Sequence, residues 1–550
     1  MGPLIKVPAT FLRLHCIIFL FFIGNLILLI SLLGCTKPEK ASPSDALRVG
    51  IHDTIDQMNV FTQSSTDFWK IQNLLFEPLL RRDPITADLK PNLTKSYSWS
   101  EDKTAITFEL KKGLQWSDGE PLTSDDVLFT FRAHDNPLYK SLYIGVFSEL
   151  VEDLTVKSST VFTVKFKRAL YSNLSNLGLN LFIYPKHNYK NGKALSLSVN
   201  SGPYKIKNFQ AGNFLEIKTN PYWHGRSDPE LQEKYLIPSI NFLSAASERS
   251  LFDLLQSHKI DFFQSLSPKS YLEFAKEYSE NTTWKPVCGE NYRLTGMRLV
   301  SLNHTRPGLN ELAVRQAMML GFDRQTVNKK FFNEQLEIAK GPWSEKHPYA
   351  DAEKVGVNLF DPVKANRLLE SHGWMVNSKT GIREKSVKGH REILSFHFLD
   401  YNTENKPLLT LFKESMKKIG IEINIQLRGF SEAMRRLKER QFDLAFHQAQ
   451  WNVLEPNLRF WYFSKTNGNS YMNIGGYKDT KLDQIILDIE KSFDSRERKQ
   501  LYQKAYVRIA EQLPELFWFH DKALCYFVSK KIHRPQDSLP YDLGLSTWTF

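Results

Sequence analysis

The sequence predicts a mixed α/β fold that is divided into more than one domain. A chain of 550 residues and 63.8 kDa is too long to fold around a single hydrophobic core. Phe108 and Leu110 alternate with polar neighbours as in a half-buried strand, and a helix-capping pattern follows within the next 20 residues. With 42% hydrophobic and 24% charged residues, the composition is that of an ordinary globular protein.

The stretch "GLQWSDGEPLTSDDVLFTF", residues 113–131, illustrates how these elements are joined. Asp118-Gly119 and Pro121 are typical of consecutive turns, because glycine accepts a positive φ and proline fixes its own φ. Thr123 then caps a helix, with the Asp126 carboxylate close to the free amides of the first turn. Turns and a cap explain the whole stretch, so it is interpreted as scaffold rather than as a reactive site.

The N-terminus predicts export. Lys6 and Arg13 precede an uncharged run from Cys16 to Leu33, and Gly34-Cys35 and a polar segment follow. This order is typical of a signal peptide over residues 1–34. The "LLGC" at its end resembles a bacterial lipobox, which implies lipidation of Cys35, a tether over residues 35–46 and attachment to a membrane.

An uncleaved membrane anchor is the alternative interpretation of this segment, because the uncharged run from Ile17 to Leu33 is only just long enough to span a bilayer. Either interpretation puts the rest of the chain outside the cytoplasm, where disulfides persist. Cys288 and Cys525 are the two cysteines beyond this segment. They either form a disulfide or remain two buried thiols, and the sequence leaves both possibilities open.

Charge and motif content argue against nucleic-acid binding and catalysis. The formal net charge is +12, and removal of residues 1–34 takes away Lys6 and Arg13 and no acid, which leaves +10. The basic residues are scattered and accompany no nucleic-acid motif, so a solvated basic surface is the expected meaning. Phosphate-binding loops, zinc-binding motifs and nucleophile elbows are missing from the sequence. We therefore predict that the protein is not an enzyme and has neither a cofactor nor a metal site.

Several collinear motifs carry a resemblance to a known family. They are "LLFEPLLRRD", the segment from Pro91 to Phe131, "GPYKIKNF", "NPYWHG", "LAVRQAMMLGFDRQTV" and "FDPVKANRLLESHGW". Their succession resembles the family 5 extracellular solute-binding proteins, which are the receptors of oligopeptide, dipeptide and nickel ABC importers. The resemblance extends from about Leu47 to the C-terminus.

Each motif also has a local structural interpretation. Tyr204 starts a strand after the turn at Gly202-Pro203, and the aromatic residues after Asn220 pack on a sheet. Met319 falls at helical spacing with its apolar neighbours, which predicts a core position. Asp361 caps a helix that Gly373 ends.

The resemblance implies a periplasmic binding protein-like α/β fold, with two lobes joined by a hinge and three domains. Domain I combines residues 47–79, 200–302 and 520–550. Domain II is the insertion over residues 80–199, and domain III covers residues 303–519.

The implied function is that of a receptor for an ABC importer. Such a receptor captures oligopeptides in the cleft between its lobes and delivers them to the membrane permease, as a monomer in the periplasm or cell envelope. A different small solute, such as a nickel chelate, is one alternative. A non-transport lipoprotein on the same fold, for example an adhesin or a chaperone-like protein, is the other.

The expected ligand residues lie in "FDLAFHQAQWNVLEP", residues 442–456. The oligopeptide binders read approximately F-D-x-A-R-A-G-W-x-A-D-Y-x-[DE]-P here. Phe446 replaces their arginine and Ala449 their tryptophan, with Trp451 two residues later. Asn452 replaces the aspartate that pairs with the peptide ammonium group. We predict that Phe446, Ala449, Trp451 and Asn452 line the cleft and that recognition of the amine by charge is weakened.

Two other interpretations remain open at this stage. Asn452 is also a typical turn residue, and other acids, such as Asp53, Asp67 or Glu77, are candidates for pairing with the amine.

Overall fold

The computed structural model describes residues 46–62, 65–290, 296–356, 359–450, 455–464, 473–535 and 545–550. Residues 46–550 form one compact unit. The predicted signal peptide, the tether and Cys35 lie outside the described residues. Within the described part of the chain, no helix combines the length and the apolar character needed to cross a membrane.

The first 150 described residues contain short strands and three helices. They are β1 (Ala46–Ile51), α1 (Thr66–Leu75), β2 (Leu80–Arg82), β3 (Leu89–Pro91), β4 (Thr94–Trp99), β5 (Ala105–Leu110), α2 (Ser124–Asp135), β6 (Val151–Val156), β7 (Val161–Phe166), α3 (Ser172–Asn180), β8 (Tyr189–Lys190) and β9 (Lys193–Ala194).

Strands and helices alternate more regularly in the middle of the chain. The elements are β10 (Tyr204–Gln210), β11 (Phe214–Thr219), β12 (Ser239–Ser244), α4 (Glu248–Gln256), β13 (Phe262–Ser265), α5 (Pro268–Ala275) and β14 (Trp284–Glu290).

The remaining elements follow β14. They are β15 (Gly296–Leu302), α6 (Leu312–Leu320), α7 (Arg324–Phe332), β16 (Leu336–Ile338), α8 (Pro362–Ser371), β17 (Met375–Val376), β18 (Arg383–Val387), β19 (His390–Ile393), β20 (Ser395–Asp400), α9 (Lys406–Lys417), β21 (Glu422–Leu427), α10 (Phe430–Lys438), β22 (Leu444–Gln450), α11 (Leu458–Tyr462), α12 (Thr480–Lys491), α13 (Ser495–Gln512), β23 (Glu515–Asp521) and β24 (Ala523–Ser529).

Two large mixed sheets organise these elements. The seven-stranded sheet has the order β10-β11-β12-β1-β13-β24-β14, and β1 pairs in parallel with both β12 and β13. The six-stranded sheet has the order β16-β23-β15-β22-β20-β21, with β20 parallel to β21 and β22. A four-stranded antiparallel sheet, β4-β5-β7-β6, stands beside them. The predicted α/β class is confirmed.

Hydrophobic packing separates two lobes. One core joins the seven-stranded sheet to the four-stranded sheet, since Val49 and Phe108 belong to the same buried cluster, which defines the first lobe. A second core surrounds the six-stranded sheet and includes Trp518 and Phe412, which defines the second lobe. The exact division into three domains, with residues 80–199 as an insertion, stays a prediction.

The chain passes from one large sheet to the other twice. One crossing lies between β14 and β15, and the other is the single residue Lys522 between β23 and β24. The two strands that lead to these crossings are neighbours, because β15 and β23 pair antiparallel. Arg298 on β15 forms an ion pair with Asp521 on β23, with an N–O distance of 3.2 Å. The two crossings therefore lie side by side, at the start of β15 and the end of β23, and the position of the hinge there stays a prediction.

The scaffold motifs adopt the predicted local structures. Phe108 is fully buried on β5, and the Thr123 amide donates to the Asp126 carboxylate at 2.9 Å to cap α2. At α8 the bond runs the other way, because the carboxylate of the N-cap residue Asp361 accepts from the Lys364 amide at 2.8 Å. Met319 is 2% exposed and belongs to the second core. Turn and capping patterns are local in sequence, and the structure confirms all four of these predictions.

Cys288 and Cys525 form a disulfide. They lie opposite each other on the antiparallel strands β14 and β24, with Cα atoms 4.1 Å apart and a separation of 237 positions in the sequence. The structure therefore decides between the two interpretations that the sequence left open. The bond joins the C-terminal strand of the seven-stranded sheet to the edge strand β14.

We expect the C288S/C525S variant to be less stable than the wild type by about 3 kcal/mol, because the disulfide restricts the unfolded chain over a long loop. The measurement is the free energy of unfolding in urea. Wild-type protein in excess reductant should match the variant, and the reductant should leave the variant unchanged. Equal stability of oxidised wild type and variant would contradict the assignment.

Candidate functional site

The predicted ligand segment begins as β22, in the interior of the six-stranded sheet. Its backbone pairs with β15 along the whole strand, so that Phe446 faces Val300 and Ala449 faces Met297. Gln450, the last residue of β22, pairs with Gly296, the first residue of β15. The segment therefore leaves the sheet beside the crossing between the two lobes, which is where a ligand held between them would lie.

The described side chains of β22 are uncharged or buried. The Phe446 ring is 7% exposed and lies 5.7 Å from the Trp518 ring in the second core. His447 lies 5.9 Å from Trp461 on the other side of the strand, and burial lowers its pKa, so the imidazole is neutral at physiological pH. Where the oligopeptide binders carry an arginine, this strand thus has a ring that is packed into the core.

The other predicted ligand residues are only partly described. Ala449 is placed by its backbone in β22, while Trp451 and Asn452 lie outside the described residues, as Cys35 does. The proposed roles of all four ligand residues, Phe446 included, stay predictions.

The last two residues of this segment, Glu455 and Pro456, are firmly anchored. Glu455 Oε1 accepts hydrogen bonds from Tyr349 Oη and from Arg498 Nε, both at 3.1 Å. The Pro456 carbonyl accepts from Tyr502 Oη at 2.9 Å. The segment is therefore fixed at one end by the sheet and at the other by α13 and the Tyr349 loop. The sequence identified Glu455-Pro456 as a family match, but not the partners, because they lie 40 to 110 residues away.

The acids considered as substitutes for Asn452 already have internal partners. The Asp67 carboxylate accepts from the amides of His52 and Asp53 and forms an ion pair with Lys70 at 2.9 Å. Burial tends to raise its pKa, yet Lys70 and the two amides outweigh burial and lower the pKa overall. Asp67 is therefore ionised and neutralised within its own lobe.

Asp53 and Glu77 are engaged in a similar way. The Asp53 carboxylate accepts from the Asp67 amide at 2.9 Å. Glu77 accepts from the Trp223 indole at 3.0 Å and lies 3.2 Å from His224. Glu77 is buried within the first lobe, whereas Asp53 is partly exposed and accepts this backbone hydrogen bond. Asp67 and Glu77 are thus engaged internally, and Asp53 remains a candidate partner for an amine.

A small cavity lies elsewhere in the second lobe. Its volume is about 10 Å³, room for about one water molecule, and Ser301, His304, Tyr462 and Glu515 are among its lining residues. Ligand sites for small molecules measure roughly 300 to 1,000 Å³, so this cavity is too small for a peptide. Within the described ranges, no three His, Cys, Asp or Glu side chains are grouped as metal ligands.

Glu515 is the most perturbed acid beside this cavity. Burial raises its pKa to about 7, although hydrogen bonds from Tyr462 at 3.0 Å and Ser301 at 3.3 Å oppose the shift. Burial also lowers the pKa of His304 to about 4, with help from the Arg315 charge. The cavity is therefore lined by groups that are largely neutral near pH 6, which favours a structural role for it.

Comparison with known proteins gives one consistent result. Residues 88–471 match the family described as bacterial extracellular solute-binding proteins, family 5. The oligopeptide-binding protein AppA of Bacillus subtilis is 24% identical over 505 residues, which cover 88% of this chain and 87% of AppA.

Two solved structures show the same fold. AppA of B. subtilis in complex with a nonapeptide has a TM-score of 0.70 at 21% identity, with 92% of this chain and 98% of AppA covered. NikZ of Campylobacter jejuni in complex with Ni(L-His) has a TM-score of 0.72 at 20% identity, with 92% of this chain and 100% of NikZ covered. The predicted periplasmic binding protein-like fold is confirmed.

The Glu515 environment predicts a pH-dependent stability. The folded protein holds the Glu515 proton up to about pH 7, whereas the unfolded chain releases it near the ordinary pKa of 4.5. The free energy of unfolding should therefore fall as the pH rises from 4.5 to 7.

Glu515→Gln removes this dependence. We expect the variant to be more stable than the wild type at pH 8, by on the order of 3 kcal/mol, and nearly equal to it at pH 4. Urea unfolding at both pH values measures the difference, and exposed Glu511→Gln at the end of α13 is the matched control. A constant offset between Glu515→Gln and the wild type at both pH values would contradict the raised pKa.

Proposed function

Since the chain belongs to the bacterial extracellular solute-binding proteins of family 5, we propose that it captures oligopeptides between its lobes for an ABC importer. Members of this family are solute-binding receptors rather than enzymes, which confirms the prediction that the chain is not an enzyme. The coarse function is therefore that of a substrate-binding receptor. The ligand class and the membrane partner are the proposal.

The end of β22 carries the argument for a peptide. An extended peptide can bind by adding its backbone to receptor strands, which gives affinity without reading side chains. β22 ends at Gln450, opposite the first residue of β15, and the chain is anchored again at Glu455 and Pro456. The end of β22 beside a crossing between the lobes supports backbone pairing of this kind.

Closure of the lobes would transmit binding to the importer. A ligand that contacts both lobes stabilises the closed state over the open state, and the population shifts accordingly. The two crossings, at the start of β15 and the end of β23, would provide the hinge for this motion. The closed receptor then presents its surface to the permease, and the solute is released chemically unchanged.

Location and assembly belong to the same proposal. The family is extracellular, and the lipobox-like "LLGC" supports attachment of the mature chain to a bacterial membrane through a lipid on Cys35. We further propose three domains, with residues 80–199 inserted into the first lobe, and a monomeric receptor.

Titration with a defined peptide tests the ligand class. We expect purified protein to bind Ala-Ala-Ala in calorimetry, with less than about tenfold preference over N-acetyl-Ala-Ala-Ala, because Asn452 cannot neutralise an ammonium group. A buried ion pair at this site would give a preference of about 100-fold or more. The same titration is repeated with the variant Asn452→Ala. Its control is the variant Gln441→Ala, at an exposed position shortly before β22.

The same titration separates the alternatives. A strong preference for the free amine that Asn452→Ala abolishes would contradict weakened charge recognition. Binding of nickel with L-histidine, together with no binding of either peptide, would assign the chain to nickel chelates instead. Native mass spectrometry of protein purified without denaturation identifies any solute that copurifies.

A further inference from the structure

A tyrosine of the first lobe reaches into the core of the second lobe. Tyr171 is partly buried and packs against the second core. Of the described apolar side chains that do so, it is the one that comes before β15 in the sequence. It lies directly before α3, and its amide donates to the Glu490 carbonyl of α12 at 3.1 Å. The Glu490 side chain is itself held by Arg459, with one N–O distance of 2.6 Å. Both the backbone and the ring of Tyr171 thus touch the opposite lobe.

The Tyr171 hydroxyl begins a directed hydrogen-bond chain. It lies 2.8 Å from the Tyr502 hydroxyl, which in turn lies 2.9 Å from the Pro456 carbonyl. A carbonyl can only accept, so the single Tyr502 proton points to Pro456. Tyr171 must therefore donate to Tyr502. These hydrogen bonds run from the first lobe to the backbone at the last residue of the candidate ligand segment.

A second path links the same residues. The Arg498 guanidinium lies 4.2 Å from the centre of the Tyr171 ring, and Arg498 Nε donates to Glu455 at 3.1 Å. A cation over a partly desolvated aromatic ring is attracted to it. Tyr171 thus contacts two of the three side chains that anchor Glu455 and Pro456, namely Tyr502 and Arg498. Trp99 and Phe493 add an edge-to-face contact between the lobes, with ring centres 5.3 Å apart.

From this geometry we propose that Tyr171 is a positioning residue that couples contact between the lobes to the anchor at Glu455 and Pro456, acting through Tyr502 and Arg498. When the lobes separate, Tyr171 leaves both partners, and the anchor at Glu455 and Pro456 loses its support from the first lobe. This role rests on the proposed function, because it concerns the same cleft, but it can be measured without a ligand.

The conservative change Tyr171→Phe tests the hydrogen-bond chain and keeps the ring over Arg498. We expect hydrogen exchange in the peptides covering residues 446–460 to be about fivefold faster than in the wild type, since one buried hydrogen bond is lost. Affinity for Ala-Ala-Ala should fall by about the same factor. Tyr171→Ala, which also removes the ring, should show larger effects and a larger radius of gyration in solution scattering.

Tyr97→Phe is the matched control, because Tyr97 lies in the same part of the first lobe and packs against Phe108. It should leave exchange in residues 446–460 and the scattering profile unchanged. Arg498→Lys keeps the charge but loses the planar group over Tyr171, and it should reproduce the faster local exchange. Thermal melting of each variant identifies any general loss of stability, which would raise exchange throughout the chain rather than in this segment.

The results separate this proposal from the proposed function. Unchanged exchange and scattering in both Tyr171→Phe and Tyr171→Ala would overturn the coupling, even if Ala-Ala-Ala binds normally. If the wild type binds no peptide but Tyr171→Phe still loosens residues 446–460 selectively, the coupling stands and the peptide assignment falls.

Discussion

The paired crossing of the chain between its two sheets is the constraint on which the rest of the structure depends. β15 and β23 are neighbours in the six-stranded sheet, and both continue within a few residues into the seven-stranded sheet. The Arg298–Asp521 ion pair joins the ends of these strands, and Arg298 also stacks over Phe332 at 5.5 Å. Two adjacent strands tied in this way hold the two crossings side by side.

Buried cations tie helices of the second lobe to the chain around β23. Arg324 donates to the carbonyls of Ala339 and Phe517, and Arg315 donates to those of Leu309 and Gln512. Burial lowers the pKa of both guanidinium groups to about 10, so they remain charged at neutral pH. Each therefore joins a helix that follows β15 to the strand that pairs with β15 or to the residues just before that strand.

The candidate site is predicted to differ in chemistry from that of the oligopeptide binders. Phe446, which the resemblance aligns with a family arginine, has its ring in the core, and Asp67 and Glu77 of the first lobe already have partners. A receptor without fixed charges at these positions would recognise its ligand through backbone hydrogen bonds and shape. The contact of Tyr171 with the opposite lobe would then add closure energy that does not depend on the identity of the ligand.

The sequence by itself determined the features that depend on neighbours in the chain. The cap at Thr123 and Asp126, the helix start at Asp361 and the core position of Met319 follow from local hydrogen bonding and helical periodicity, and collinear motifs identified the family. Only the tertiary structure decided the pairing of Cys288 with Cys525, the burial of Phe446 and the engagement of Asp67 and Glu77. It also brought Tyr171 to Tyr502, 331 residues further along the chain. These contacts depend on which strands become neighbours and how two lobes meet, and a single sequence carries no local signal of either.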